Sequence, residues 1–267
     1  MGLLDWLSER TAILGREVAD AGSMAVYVRQ LLRGNRARAA ANDLPAATVL
    51  PPDPTLPPVL LVHGYMATRG SLHLLERRLS ELGHVVLSYR LGPLNLGGIR
   101  EAAGLLARKV DALIEQTPVR AVNVVGHSMG GLAGLYYVKC LGGRDRVRRL
   151  VLVGSPVGGT WSAAFGLVAT PLGRGSLELL PGSSVLKELR ERPMPANVEV
   201  VTVAGERDFF APEAKTRLPG ARHVSLPTTH SGLLVDELVA TALDQILRGL
   251  PCDPPSSGGS SNGSSNK

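Results

Sequence analysis

One serine in this sequence stands in a pattern typical of a catalytic nucleophile. The segment VNVVGHSMGG, residues 122–131, contains Gly-x-Ser-x-Gly centred on Ser128. The same pattern returns at residues 259–263, so in a chain with 31 glycines the bare pattern is weak evidence. The surroundings separate the two, because such a nucleophile needs a buried strand before it and a helix after it. Ser128 follows AVNVV and precedes MGGLAGLYYVKCLGG, whereas the second match lies in a tail without apolar residues.

A histidine must accompany this serine if it is to act as a nucleophile. The histidine takes the hydroxyl proton, and an acid holds the imidazole in the right tautomer. Where the serine stands on a strand–turn–helix elbow, the chain order is Ser, acid, His. Two histidines follow Ser128. His223 begins a predicted strand, whereas His230, in TTHSGLL, lies between the last predicted strand and the last predicted helix. We therefore predict that His230 is the base.

The acid is expected in a loop that leaves a strand on the same side of the sheet. The segment VEVVTVAGERDFFAPE places Asp208 three residues after the glycine that ends a strongly apolar strand. Glu206 and Glu213 are the alternatives in this loop, and each is also typical of a solvated loop carboxylate. Asp145 precedes its strand and so lies at the wrong end. Asp208 is the predicted acid.

Acyl transfer also needs backbone N–H donors for the oxyanion that develops on the substrate. One donor is expected from Met129, the residue after the nucleophile, at the start of the helix. The other is expected from the loop after the first core strand, in LLVHGYM. There Gly64 allows a tight bend and Tyr65 offers its N–H, with Met66 as the alternative.

The remaining histidines are expected to have structural roles. His63 lies far upstream of the nucleophile and is predicted to brace the oxyanion loop. His127, beside the serine, is predicted to pack within the elbow. His73 and His84 are predicted to be surface or helix-end residues.

The order of apolar runs and turn signals predicts alternating strands and helices. The predicted strands are residues 59–63, 85–89, 121–125, 149–154, 198–205 and 223–227, and the predicted helices lie near 70–82, 99–116, 129–141 and 231–249. This alternation indicates an α/β protein with a mostly parallel, doubly wound sheet. The ligand site of such a sheet lies at the carboxyl ends of its strands.

The motifs together resemble those of a known family. VLLVHGY, GHSMGG, GSPVGGT, GERD and HSGLL occur in the order and approximate spacing of the α/β-hydrolase superfamily, and within it of the bacterial lipase and esterase group. The resemblance covers about residues 58–249. It implies an α/β-hydrolase fold with helices on both faces of the sheet and a small lid insertion. It also implies roles for five residues: Ser128 as nucleophile, Asp208 as acid, His230 as base, and Tyr65 and Met129 as oxyanion donors.

A long segment between two predicted strands, about residues 156–196, is the expected lid. It carries the apolar residues Trp161, Phe165, Leu167, Val168, Leu172, Leu177, Leu179 and Leu180. These predict an acyl-binding cleft, with the core of a cap domain as the alternative. LELLPGSSVLKEL (177–189) resembles a lid region of these lipases. Many relatives have Thr-Pro-His where this chain has Ser155, Pro156 and Val157.

The N-terminal residues 1–41 are predicted to form an amphipathic helical segment ahead of the domain at 58–250. Its stripe comprises Leu4, Leu7, Leu14, Val18, Ala21, Ala25, Val28 and Leu32. This helix is expected either to pack on the protein or a partner, or to contact a membrane surface through residues 1–34. Residues 42–57 form a Pro-rich linker and residues 251–267 a disordered Ser/Gly tail.

The composition argues against several other classes of protein. The net charge is +6, but most of the 29 basic residues are Arg scattered along the chain, so no nucleic-acid site is predicted. Cys140 and Cys252 lack metal-ligand spacing and are predicted to be free thiols. No secretory signal or membrane span is found in the sequence, which favours a cytoplasmic or peripherally membrane-associated protein. No metal or organic cofactor is required by the predicted chemistry.

The resulting prediction is a serine lipase or esterase that hydrolyses fatty acyl esters through an acyl-enzyme on Ser128. An acyltransferase or a thioesterase would use the same residues and is the first alternative. The second is a membrane- or partner-binding protein that retains the hydrolase fold. The sequence leaves the oligomeric state open.

Overall fold

The computed structural model describes residues 21–32, 56–89, 91, 94–163 and 173–252. The predicted Pro-rich linker and Ser/Gly tail lie almost entirely outside this set, as does half of the predicted N-terminal stripe.

The described residues contain one six-stranded sheet in the order β2-β1-β3-β4-β5-β6. The strands are β1 (Val59–Val62), β2 (Val86–Ser88), β3 (Val122–His127), β4 (Val147–Val153), β5 (Glu199–Gly205) and β6 (Arg222–Leu226). Every neighbouring pair is parallel. The order reverses between β1 and β3, which is the point where doubly wound sheets bind ligands. The predicted parallel sheet is confirmed.

The helices connect these strands in the predicted order. They are α1 (Ala21–Leu32), α2 (His73–Glu81), α3 (Ile99–Gln116), α4 (Met129–Cys140), α5 (Arg174–Leu179), α6 (Ser184–Glu191), α7 (Glu213–Thr216), α8 (Gly232–Val235) and α9 (Glu237–Arg248). Short 3₁₀ turns precede α2 and β4. The single helix predicted near 231–249 is wrong, because extended backbone at Asp236 (φ −82°, ψ 138°) separates α8 from α9.

The core lies on both faces of the sheet because side chains alternate along each buried strand. Leu60 and Val62 of β1 face one hydrophobic cluster, which contains α3, α4 and α6. Val59 and Leu61 face the other, which contains α2, α8 and α9. In α3 the buried residues follow a helical period, from Ile99 to Leu113, so one face of the helix covers the sheet. Helices therefore cover both faces, as predicted.

Helix α1 packs on the body of the protein, but not through the predicted stripe. Within the described residues that stripe is exposed, with 42% of Val28 and 80% of Leu32 accessible. The opposite side is buried and contains Tyr27 and Gln30. Tyr27 packs against the cluster on the α2 side of the sheet. A physical reason is that burying an aromatic ring removes more apolar surface from water than burying an alanine or valine.

Three further predictions concern histidines at helix ends, the two cysteines and membrane-spanning helices. His73 begins α2 and His84 follows its end, so the helix-end alternative describes both. His84 is nevertheless buried, and its Nε2 lies 2.8 Å from Asp244 Oδ1. Cys140 packs against one hydrophobic cluster and Cys252 against the other, so the two sulfurs lie on opposite faces of the sheet. Among the helices of the described ranges, none has the length and apolar character needed to cross a bilayer.

Candidate active site

The predicted nucleophile stands on a sharp turn between β3 and α4. Ser128 has φ 54° and ψ −125°, which is uncommon for a residue with a Cβ atom. Its N–H donates to the carbonyl oxygen of Val153 on the neighbouring strand, at 2.8 Å. Strained backbone of this kind persists when the surrounding structure holds it, and it is frequent at functional sites. The turn places Ser128 at the carboxyl edge of the sheet.

Both glycines of the Gly-x-Ser-x-Gly pattern are required by close backbone contacts. A Cβ atom on Gly126 would lie 2.5 Å from the carbonyl carbon of Gly130. A Cβ atom on Gly130 would collide with the carbonyl oxygen of Val62 and would lie 2.8 Å from that of His63. The helix after the serine therefore packs directly on the backbone of β3 and of β1. This explains why the spacing of these glycines marks an elbow.

The predicted acid and base are hydrogen-bonded to each other. Nδ1 of His230 lies 2.7 Å from Oδ2 of Asp208. The Asp208 side chain has no exposed surface, and that of His230 is 15% exposed. The other carboxylate oxygen accepts the N–H of Ala211 at 2.7 Å, which fixes the carboxylate in the loop after β5. At the end of β4, a Cβ on Gly154 would come within 3.3 Å of both groups, so this glycine leaves room for the pair.

The alternative acids lie elsewhere. Glu213 contacts Arg217, Ser225 and His223, and Glu206 is exposed. Asp145 lies in the turn before β4, at the amino end of the strand. His223 faces Glu213 and Thr202. The structure therefore contains two pairs of candidate acid and histidine, Asp208 with His230 and Glu213 with His223. Of these histidines, His230 lines a cavity together with Ser128, whereas His223 does not.

A cavity of about 400 Å³ opens beside Ser128 and His230. Its walls combine the elbow, the loops after β1, β4, β5 and β6, the segment 156–196 and helix α1. The lining residues are Met24, Tyr27, Gly64, Tyr65, Met66, Ala67, His127, Ser128, Pro156, Thr160, Ser162, Ala163, Leu179, Phe210, His230 and Ser231. Most of these side chains are apolar, and Phe210 packs its ring 5.3 Å from that of His230.

The segment predicted as a lid has two parts in the described structure. Leu179 lines the cavity, whereas 55% of Leu177 is exposed. Helix α6 buries Val185, Leu186 and Leu189 in the core, as the cap-core alternative predicts. Its outer side is held to α3 and α4 by polar contacts, including Arg100 to Glu188 at 2.9 Å.

The loop after β1 lies directly against the predicted nucleophile. A Cβ atom on Gly64 would be 3.0 Å from the Cβ and 3.5 Å from the Oγ of Ser128. Tyr65 and Met66 follow at the cavity wall. The Tyr65 hydroxyl lies 3.2 Å from the Oγ of Ser176 in α5. Met129, the other predicted donor, is the first residue of α4, where backbone N–H groups have no partner within the helix.

Asn95 supports this loop, a role that its sequence context does not reveal. Its Nδ2 donates to the carbonyl oxygens of His63 and Gly64, at 3.2 and 3.1 Å. Asn95 is 2% exposed and has φ 45°. Asparagine tolerates this left-handed conformation better than most residues with a Cβ atom. The only sequence signal is therefore an asparagine in a glycine-containing loop, which does not reveal the partner carbonyls.

Two buried histidines, His63 and His127, lie next to the candidate site. Burial lowers the pKa of His63 from 6.5 to about 4, and its Nδ1 donates to the Gly64 oxygen at 3.2 Å. Burial, and then the proximity of His230, lower the pKa of His127 well below 6.5. The His127 ring lies 4.5 Å from that of His230, and its Nε2 donates to the His230 carbonyl at 3.2 Å. His127 therefore packs within the elbow, as predicted, and also contacts the predicted base.

No group of three or more His, Cys, Asp or Glu side chains that could hold a metal ion occurs within the described ranges.

Comparison with known proteins bears on the fold around this site. A family model described as alpha/beta hydrolase fold matches residues 57–170, which include β1, the elbow and β4. The structure of Bacillus licheniformis lipase BlEst2 in mature form is 20% identical, with a TM-score of 0.65, and the match covers 76% of this chain and 96% of that one.

Two longer chains match to a similar degree. The propeptide form of the same Bacillus licheniformis lipase is 19% identical, has a TM-score of 0.66, and is matched over 78% of this chain and 53% of that one. Aspergillus fumigatus lipase B is 18% identical, has a TM-score of 0.65, and is matched over 78% of this chain and 56% of that one. This chain thus spans about half the length of these two proteins. Together with the parallel sheet and the elbow, the matches confirm the predicted resemblance: the chain has the α/β-hydrolase fold.

Proposed function

We propose that this protein is a serine lipase or esterase that hydrolyses fatty acyl esters through an acyl-enzyme on Ser128. The observation that carries the proposal is the position of His230. Its Nδ1 is bonded to the buried carboxylate of Asp208, and its ring lines the same cavity as Ser128. This is the arrangement that a base needs in order to activate a hydroxyl.

The proposed reaction proceeds in two halves. The Nδ1–H of His230 donates to Asp208, which leaves Nε2 as the nitrogen that accepts the Ser128 proton. The serine oxygen then attacks the ester carbonyl carbon, and the imidazolium returns the proton to the departing alcohol oxygen as the C–O bond breaks. In the second half, His230 takes a proton from water, the hydroxide attacks the acyl-enzyme, and the proton returns to Ser128 as the carboxylic acid leaves.

The negative charge on the carbonyl oxygen requires N–H donors in both halves. We assign these to Met129, at the start of α4, and to Tyr65, in the loop held against Ser128; Met66 is the alternative to Tyr65. Removing one such donor typically costs about 10²–10³ in rate. The contact between Gly64 and Ser128 supports the assignment, because it places this loop beside the reacting oxygen.

An acyl substrate is favoured by the cavity walls. Apolar side chains such as Met24, Leu179 and Phe210 surround a space in which Ser128 and His230 are the groups available for chemistry. Two of the structurally similar proteins carry the name lipase. Acyl transfer or thioester cleavage would use the same acyl-enzyme, so product analysis with competing alcohols and thiols distinguishes these alternatives.

Contact with a lipid surface is a second, compatible proposal, and it rests on helix α1. Its outward side exposes Val28 and Leu32 and also carries the exposed Arg29. Apolar and basic residues on one surface are typical of interfacial helices. Sedimentation with anionic vesicles tests this: the double variant Val28→Ser, Leu32→Ser should bind more weakly than wild type. Equal binding would exclude this face of α1 as the contact.

The activity itself is tested with p-nitrophenyl esters from acetate to palmitate. Wild type should hydrolyse the series, and Ser128→Ala should lose at least about 10³ of kcat. Ser225→Ala is the matched control, because Ser225 lies in β6 and its hydroxyl donates to Glu213 rather than facing the cavity. Full activity in Ser128→Ala would refute the proposed mechanism, and a folded wild type inactive on every ester would refute the proposed substrate class.

A further inference from the structure

Helix α1 supplies part of the wall of the cavity that holds Ser128 and His230. Met24 and Tyr27, one turn apart on this helix, both line that space. They precede the region of the family match, which begins at residue 57. Helix α1 is therefore a structural part of the candidate active site, to which it contributes a thioether and an aromatic ring.

Two hydrogen bonds fix α1 to the loops that carry the site. At its beginning, the Ser23 hydroxyl donates to Oδ1 of Asp236 at 3.0 Å. Asp236 also accepts a hydrogen bond from Thr228, two residues before His230. The helix is thus joined to the segment that positions the predicted base.

The other end of the helix is joined to the loop after β1. The Thr68 hydroxyl donates to the carbonyl oxygen of Leu31 at 3.0 Å. Thr68 belongs to the same loop as Gly64, which lies against Ser128. Because both ends are held, Met24 and Tyr27 face the cavity from a fixed backbone.

The two side chains differ in how they can respond to a ligand. Tyr27 packs against the hydrophobic cluster, and burial raises the pKa of its phenol, so it presents a neutral, anchored ring. Met24 is half-buried at the cavity surface. Its unbranched thioether can adapt to chains of different shape. An anchored ring beside an adaptable side chain is suited to contact a hydrocarbon chain.

We propose that Met24 and Tyr27 bind the acyl chain of the substrate and set the chain length that the enzyme prefers. The acyl group is the part that remains on Ser128 while water attacks, so the apolar wall beside it is the surface that receives it. This inference rests on the proposed ester hydrolysis, and it adds that specificity depends on a segment before the region of the family match.

The first test changes the size of the side chain at position 24 and so the space left in the cavity. Met24→Trp reduces the space, and Met24→Ala enlarges it. Val26→Trp is the matched control, because Val26 lies on the same helix, is 39% exposed and does not line the cavity. Each methylene removed from water is worth roughly a fourfold change in binding. With dissolved p-nitrophenyl esters, Met24→Trp should therefore lower kcat/KM for decanoate by at least about tenfold and change that for acetate by less than about twofold. The Val26→Trp variant should keep the chain-length profile of wild type.

Replacing Met24 by a smaller residue should have the opposite effect on the preferred chain length. Met24→Ala should shift the preferred acyl chain to greater length. Identical chain-length profiles for Met24→Trp, Met24→Ala and wild type would overturn the proposal.

A second measurement separates this proposal from the proposed activity. In the Ser128→Ala background, decanoate binding is measured by calorimetry, which requires no turnover. Binding weakened by Met24→Trp but not by Val26→Trp supports the acyl wall, even if no ester is hydrolysed. Binding that is absent, or equal in both variants, overturns it, even if esters are hydrolysed. Thermal unfolding of each variant verifies that α1 remains docked.

Discussion

Nδ1 of His230 lies 2.7 Å from Oδ2 of an Asp208 carboxylate that has no exposed surface. A buried carboxylate is stable only when it is paired or hydrogen-bonded, and here both of its oxygens have partners. The hydrogen bond therefore orients the imidazole and specifies its tautomer. Because Ser128 depends on that tautomer in the proposed reaction, the pair can be tested separately from the serine.

Asp208→Asn should keep the size of the side chain and lose the preference for the active tautomer. We expect kcat to fall by about 10³–10⁴ with little change in KM, the loss typical of such a change in serine proteases. Steady-state kinetics on a p-nitrophenyl ester measures it. Glu213→Gln is the control, since Glu213 contacts His223 and Arg217. A nearly normal Asp208→Asn together with an inactive Glu213→Gln would assign the acid to Glu213.

Asn95→Asp should disturb the oxyanion loop without touching substrate. The amide that donates to the His63 and Gly64 carbonyls is replaced by a carboxylate that repels them. Displacing a reacting group by about 1 Å can cost about 10² in rate, so kcat should fall about ten- to a hundredfold while KM changes little. Leu94→Ala is the control, because Leu94 is in the same loop, also has positive φ, and is 41% exposed. An equal loss in both variants would indicate a general effect of the loop.

Gly130→Ala should be poorly tolerated although it adds a single methyl group. That group would meet the backbone oxygens of Val62 and His63, which cannot move without moving β1. We expect a loss of about 3 kcal/mol or more in the free energy of unfolding, measured with urea. Gly104→Ala in α3 is the control: its nearest atom is the end of Arg108 at 3.8 Å, so it should stabilise the protein by about 1 kcal/mol.

His63 should make the protein less stable in mild acid. Its pKa is about 4 in the folded protein, compared with 6.5 for an ordinary histidine, as in the unfolded chain. Between pH 4 and pH 6.5 the unfolded chain therefore binds more protons than the folded protein. The free energy of unfolding therefore falls as the pH decreases from 6.5 towards 4, by about 2–3 kcal/mol at pH 4.5 from this residue. Urea unfolding at pH 7 and pH 4.5 should show a smaller decrease in His63→Gln than in wild type. Equal decreases would contradict this role.

The elements of the fold were predictable because their signals are local. Buried parallel strands such as β3 and β4 are short apolar runs, and α3 shows its helical period directly. The positions of Ser128 and His230 were predictable from the same local signals, since each follows a strand and precedes a helix. Asp208 was predicted from its position three residues after Gly205, and its pairing with His230 depends on the fold of the loop after β5, in which Ala211 N–H binds the carboxylate.

Features that depend on distant contacts were not predictable in this way. Asn95 bonds to carbonyls about 30 residues away, and His127 contacts His230 across 103 residues. The rotation of α1 was also missed, because periodicity reveals a stripe but not which side meets the protein. The side that packs contains Tyr27 and the polar Gln30, and the latter interrupts an apolar pattern.

The hydrogen bond between Ser23 and Asp236 has a consequence for biosynthesis. It joins residues that are 213 positions apart, so the helix is synthesised well before the residue on which it docks. Domains generally fold as units during synthesis, at about 5–20 residues per second. Helix α1 must therefore wait on the ribosome for tens of seconds at the slower rates before Asp236 emerges. The wall that it contributes to the cavity is completed only when the rest of the hydrolase fold has been translated.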